Sequence, residues 1–137
     1  MKIYTDGVYD LFHRGHLESF KVIHQLYPNC KLVVGVVSDA DCSSYKRKPI
    51  INEANRVEIL RAIHYIDDII FPAPLVISQE FIQQHGIDLV VHGFSNPEDK
   101  KKQQSFFAIP NQLGIFREIP YWKHTSTSDI IAAIKRS

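Results

Sequence analysis

Short runs rich in Val and Ile alternate with stretches of helical periodicity along the whole 137-residue chain. Strands separated by helices return to the same end of a sheet, so the alternation predicts parallel pairing rather than hairpins. Lys31-Leu32-Val33-Val34-Gly35-Val36-Val37-Ser38 is apolar almost without a break, which marks a central strand covered on both faces. Before it come a strand at Lys2–Thr5 and a helix from about Gly15 to Tyr27, whose Leu17, Phe20, Ile23 and Tyr27 form one stripe. After it, residues 39–52 lack any period and read as a loop. Asn52 then caps a helix with Val57, Leu60 and Ile63 inward, Asp67–Phe71 is a third strand, and Ser78 caps a short helix that stops at Gly86. Ile87–His92 and Gly114–Ile119 are the last two strands, and Ser126–Asp129 opens a helix through Ile134. The polar stretch around Lys100–Lys102 has no assignment. This order predicts an α/β fold: a Rossmann-like three-layer α/β/α sandwich with a five-stranded, mostly parallel sheet, residues 1–137 forming a single domain.

Composition narrows the function. A chain of this size buries about 70% of its unfolded surface, enough for a core without metal or disulfide staples. Sixteen Lys and Arg against fifteen Asp and Glu leave a net charge of +1, which gives no general attraction to nucleic acid or anionic membrane. No apolar run approaches the roughly 20 residues of a membrane span, and the N-terminus lacks a signal-peptide core, so a cytoplasmic protein without stable membrane association is expected. Cys30 and Cys42 have no metal-ligand spacing and read as reduced thiols.

In such folds ligands bind beyond the carboxyl ends of the strands, which directs attention to residues 6–16, 39–52, 92–97 and 120–128. The segment Asp6-Gly7-Val8-Tyr9-Asp10-Leu11-Phe12-His13-Arg14-Gly15-His16 joins the first strand to the first helix. Two imidazoles flanking a glycine where helix amides are unpaired make a phosphate site. Neither GxxxxGK[ST] nor GxGxxG is present, so it is not a Walker or dinucleotide loop.

This segment resembles the HxGH motif of the nucleotidyltransferase superfamily, and "IYTDGVYDLFHRGH" is most similar to the phosphocholine and phosphoethanolamine cytidylyltransferases. "YKRKPIINEANR" resembles their lysine loop, "HYIDDII" their interface segment, "PAPLVISQEFIQQHGIDLVVHG" their third and fourth strand region, and "STSDII" the end of their C-terminal signature. The resemblance implies transfer of CMP from CTP to a small phosphomonoester with release of pyrophosphate. It implies that His13 and His16 contact the triphosphate and that Lys46 bridges donor and acceptor. Gly7, Val8, Tyr9, Arg56, His92, Gly93, Lys123, Thr125, Ser126 and Thr127 would bind the nucleotide, and Asp10 with Lys46 the acceptor. Mg²⁺ would be held through the nucleotide phosphates without direct protein ligands, and the chain would form a homodimer. The same chemistry with another nucleotide donor, or a weakened relative acting as a regulatory protein, are the alternatives.

Departures from the pattern bear on specificity. Tyr121-Trp122-Lys123-His124 stands where the signature has Arg-Thr-Glu-Gly, which removes an arginine expected at the triphosphate. His92-Gly93-Phe94 replaces His-Asp-Asp, leaving backbone groups to read the base edge with Phe94 or Trp122 stacking on it. Leu75 stands in place of a tryptophan of the choline enzymes, so an aromatic cage is not evident.

Overall fold

The computed structural model describes all residues from Met1 to Ser137. Strands β1 (Lys2–Gly7), β2 (Lys31–Val36), β3 (Asp68–Ile70), β4 (Leu89–His92) and β5 (Phe116–Glu118) form one sheet. Its order is β3-β2-β1-β4-β5, and all four neighbouring pairs are parallel. The chain first winds outward from β1 to β3 and then crosses back to place β4 on the other side of β1. The helices are α1 (Arg14–Leu26), α2 (Asp39–Tyr45), α3 (Glu53–Arg61), α4 (Gln79–His85), α5 (Pro97–Gln103), α6 (Ala108–Gln112) and α7 (Thr127–Arg136).

Alternation along the strands divides the core into two layers. Ile3, Leu32, Val34, Leu89 and Val91 share a cluster with Phe20 and Ile23 of α1 and with Val57 and Leu60 of α3. Tyr4, Val33 and Val90 point the other way, into a cluster with Ile77, Ile82 of α4 and Phe107. The expected three-layer sandwich is present, with its sheet entirely parallel.

Two segments differ from the sequence reading. Residues 39–52 are not all loop. Ser38 caps α2 by accepting a hydrogen bond from the Asp41 amide at 3.1 Å, and Asp39 and Asp41 complement the helix dipole. Only Cys42 of this helix is buried, so there was no apolar stripe to detect. The unassigned polar stretch contains α5, capped by Asn96 and followed by a 3₁₀ turn (Gln104–Phe107) and α6. Gln103 and Phe107 anchor it inward. The caps read at Asn52, Ser78 and Ser126 are all observed, and Gly86 ends α4 with φ 62°, a backbone region glycine adopts without a Cβ penalty.

Candidate active site

Where the sheet order reverses between β1 and β4, a cleft of about 710 Å³ opens at the carboxyl ends of the strands. Its floor is the loop joining β1 to α1. Tyr9 and Leu11 of that loop have φ 57° and 50°, left-handed values that non-glycine residues adopt at a cost of order 1–3 kcal/mol. Four hydrogen bonds hold the strained turn. The Arg56 guanidinium donates to the Val8 carbonyl at 2.6 Å, the Asp10 carboxylate accepts the Ile50 and Ile51 amides at 2.8 and 2.9 Å, and the Thr127 hydroxyl donates to the Asp10 carbonyl at 3.1 Å.

The two histidines sit at the start of α1 in a reciprocal cap. The Gly15 amide donates to His13 Nδ1 at 3.0 Å, and the His13 amide donates to His16 Nδ1 at 3.2 Å. Because each Nδ1 accepts, each neutral ring carries its proton on Nε2, an assignment made from this bonding pattern. The rings stack with centroids 3.9 Å apart. Only glycine fits at position 15, since a Cβ there would lie 2.8 Å from the His13 ring and 3.0 Å from the Thr125 carbonyl.

Burial lowers the pKa of His13, against an opposing pull from Asp129. His16 is pushed down to about 3, first by burial and then by the neighbouring charges of His13 and Lys46. Both rings are therefore neutral at pH 7 and act as N–H donors rather than as cations. His13 Nε2 is buried and has no partner within the chain, an orphaned donor of the kind that folded proteins rarely leave unpaired without reason.

Lys46 closes the C-terminal end of α2 and lines the same cleft, with its ammonium 5.5 Å from the centre of the Tyr45 ring. Opposite it is Asp99 of α5. Burial raises the pKa of that carboxyl, but the Ser95 amide, the Lys46 charge and the Gln103 amide outweigh it, so the group titrates below the usual range. Ser126 and Thr127 bring the first turn of α7 to the rim. On the cleft floor, His92 Nδ1 lies 3.4 Å from the Asp6 carboxylate.

Of the residues singled out from sequence, Gly7, Val8, Tyr9, Asp10, His13, His16, Lys46, His92, Gly93, Lys123, Ser126 and Thr127 line this cleft. Arg56 does not. Its fully buried guanidinium donates to the carbonyls of Ile51, Val8 and Val37 and pairs with Asp39 at 2.7 Å, so its charge is met by a carboxylate within the chain. Thr125 is also outside the lining; its carbonyl packs beside Gly15. Phe94 is turned into the aromatic cluster with Phe107 and Phe116 and does not line the cleft, so of the two rings expected to stack on a base only Trp122 does. Asp10 reaches the cleft with both carboxylate oxygens already bonded to the lysine loop.

Sequence reasoning missed Asp6, Arg47 and Asp99. A signal for Asp99 existed in Asn96-Pro97-Glu98-Asp99, where a capping asparagine precedes an acidic residue by three positions and the Asp99 amide does donate to Asn96 at 2.8 Å. Arg47 was hidden in a charge run that is usually solvated.

The parallel sheet and the cleft at its switch point define a Rossmann-like α/β domain. The family model described as cytidylyltransferase-like matches residues 4–133, and the chain belongs to that family. It is 32% identical over 136 residues to choline-phosphate cytidylyltransferase A of Rattus norvegicus, covering 99% of this chain and 37% of that protein. It is 34% identical over 136 residues to the ethanolamine-phosphate cytidylyltransferase of Arabidopsis thaliana, covering 96% and 32%. The chain thus spans well under half the length of these relatives. Among solved structures, the lipopolysaccharide core biosynthesis protein from Thermoplasma volcanium GSS1 superposes with a TM-score of 0.68 over 91% of this chain and 98% of that one at 23% identity, a likeness of fold.

Proposed function

We propose that this chain transfers CMP from CTP to a small phosphomonoester of the phosphoethanolamine or phosphocholine type, releasing pyrophosphate. The observation that carries the reading is the orphaned His13 Nε2–H, in the cleft that Lys46 and the start of α7 also line, in a chain of the cytidylyltransferase-like family. An acceptor phosphate oxygen forms a bond to the α-phosphorus of CTP while the bond from that phosphorus to the bridging oxygen breaks. The electron pair leaves with pyrophosphate, and no proton has to move, so no general base is required.

The chain's part is alignment and charge neutralisation. His13 and His16 donate neutral N–H bonds to triphosphate oxygens, and Lys46 draws the acceptor phosphate toward the reacting phosphorus. Gly93 and Trp122 border the base. Asp10 holds the lysine loop through Ile50 and Ile51, so its contribution to the acceptor is placement of Lys46. A Mg²⁺ ion would be carried on the triphosphate rather than on side chains of this chain. Such an ion supplies charge neutralisation on phosphate oxygens.

The reading includes a homodimer through residues 64–70 at the β3 edge of the sheet, and a cytoplasmic site of action where CTP is available. No helix is long and apolar enough to cross a membrane. The test is phosphorus NMR of the protein with Mg²⁺, CTP and each of phosphoethanolamine and phosphocholine. A CDP-linked diester forming together with pyrophosphate supports the reading. Product only with a purine triphosphate would move the donor, and nucleotide binding without product would make the chain a binding relative.

A further inference from the structure

We propose that Arg47 is the group that receives the departing pyrophosphate, holding it against the first turn of α7. The inference rests on the transfer reading above and assigns the leaving-group end of the site. With His13 and His16 neutral, the positive charge in the cleft comes from Lys46, Arg47, Lys102 and Lys123. Negative charge grows most on the oxygen that keeps the electron pair as its bond to the α-phosphorus breaks. A cation placed there gains strength as the reaction proceeds.

Arg47 is built into that position. The Lys46 amide donates to the Cys42 carbonyl at 2.8 Å, and the Cys42 thiol is 3.5 Å from the Arg47 carbonyl, so the backbone at 46–47 is pinned to the end of α2. Lys46 itself is fully extended, with φ −136° and ψ −177°. Successive side chains on extended backbone point to opposite sides. Lys46 lines the cleft with its ammonium 5.5 Å from the centre of the Tyr45 ring, while Arg47 turns to α7, with Nη1 3.5 Å from the Ser128 hydroxyl. One turn of chain therefore sends an ammonium to the reacting centre and a guanidinium to the helix mouth.

The guanidinium is also unspent. Arg14 and Arg56 are each bonded to a carboxylate at 2.7 Å, whereas Arg47 forms no ion pair, and its single long bond to a hydroxyl satisfies one of five donors. A planar fork with free donors beside unpaired helix amides fits the two oxygens of a phosphate better than a lysine would. Tyr121 occupies the place where the resemblance expects an arginine, and Arg47 supplies that charge from a different element. Its contact with Ser128 places the guanidinium at the first turn of α7, where phosphate oxygens would displace the hydroxyl.

Two measurements on the full chain test this, with Arg47→Ala and Arg47→Lys. In steady-state turnover with Mg²⁺ and CTP, Arg47→Ala should lower kcat/KM for CTP by about 10²-fold, with the KM for the acceptor little changed. In calorimetry with Mg²⁺ and inorganic pyrophosphate, Arg47→Ala should weaken binding by about tenfold or more, and Arg47→Lys should recover only part of it, because a point charge lacks the fork. Pyrophosphate affinity of Arg47→Ala equal to wild type overturns the proposal. If the wild-type chain binds pyrophosphate but transfers nothing from CTP, the transfer reading fails while the calorimetric comparison still decides Arg47. A wild-type chain that does not bind pyrophosphate overturns the assignment of Arg47 and leaves the transfer reading to the turnover measurement.

Discussion

Two imidazoles stacked 3.9 Å apart cannot both carry charge in a buried cleft, and the chain resolves the conflict by keeping both neutral. Their Nδ1 atoms are used up by backbone amides, so the protons on Nε2 are fixed before any ligand arrives. The positive charge at the reacting centre is left to Lys46. Its contribution should grow as charge moves off the α-phosphorus. Lys46→Ala is therefore expected to lower kcat by about 10²- to 10³-fold while changing the KM for CTP much less, as measured by steady-state kinetics. A change confined to KM would make Lys46 a docking group. His13, Gly15 and His16 were legible because the hydrogen bonds that join them span no more than three positions in sequence. Arg56 was less legible for the opposite reason: its partners at Val8, Val37 and Asp39 are brought to it only by the fold.

Elements meet at the floor of the cleft through polar bonds more than through packing. Arg56 of α3 ties together the ends of β1 and β2 and the start of α2, and removing it would leave buried carbonyls unpaired beside Asp39. Arg56→Met should cost about 3–5 kcal/mol in urea unfolding, the range for breaking a buried pair from one side. A loss below 1 kcal/mol would show that the guanidinium is not what holds the strained turn at Tyr9 and Leu11. The strands and α1, α3, α4 and α7 could be read from apolar runs, stripes and caps. Helices α2 and α5 could not, because polar caps and single buried residues such as Cys42 and Gln103 create them, and neither leaves a periodic trace. That is why Arg47 and Asp99, which depend on those helices for position, went unnoticed.

Across the whole molecule, the neutral histidines tie stability to pH. His16 has a folded pKa of about 3 against about 6.5 unfolded, so between these values the unfolded chain binds a proton that the folded chain refuses. Its contribution is complete above pH 6.5 and is lost as pH falls toward 3. Urea midpoints should thus decline from pH 7 to pH 5, and the decline should be shallower in His16→Gln. Equal slopes in the two proteins would mean that His16 titrates normally in the folded state. The parallel order and its switch point put the cleft where the sequence reading expected ligands, and the segments at 6–16, 39–52, 92–97 and 120–128 all contribute lining residues.

Whether this cleft moves a nucleotide to a phosphomonoester through the paired histidines decides the proposed function. The direct measurement is pyrophosphate release with Mg²⁺ and phosphoethanolamine or phosphocholine, across CTP, ATP, GTP and UTP, for the wild-type chain and for His16→Ala. The account predicts acceptor-dependent release with CTP and a loss of about 10²-fold or more in His16→Ala at unchanged circular dichroism. Acceptor-dependent release that is equal in the two proteins would contradict it.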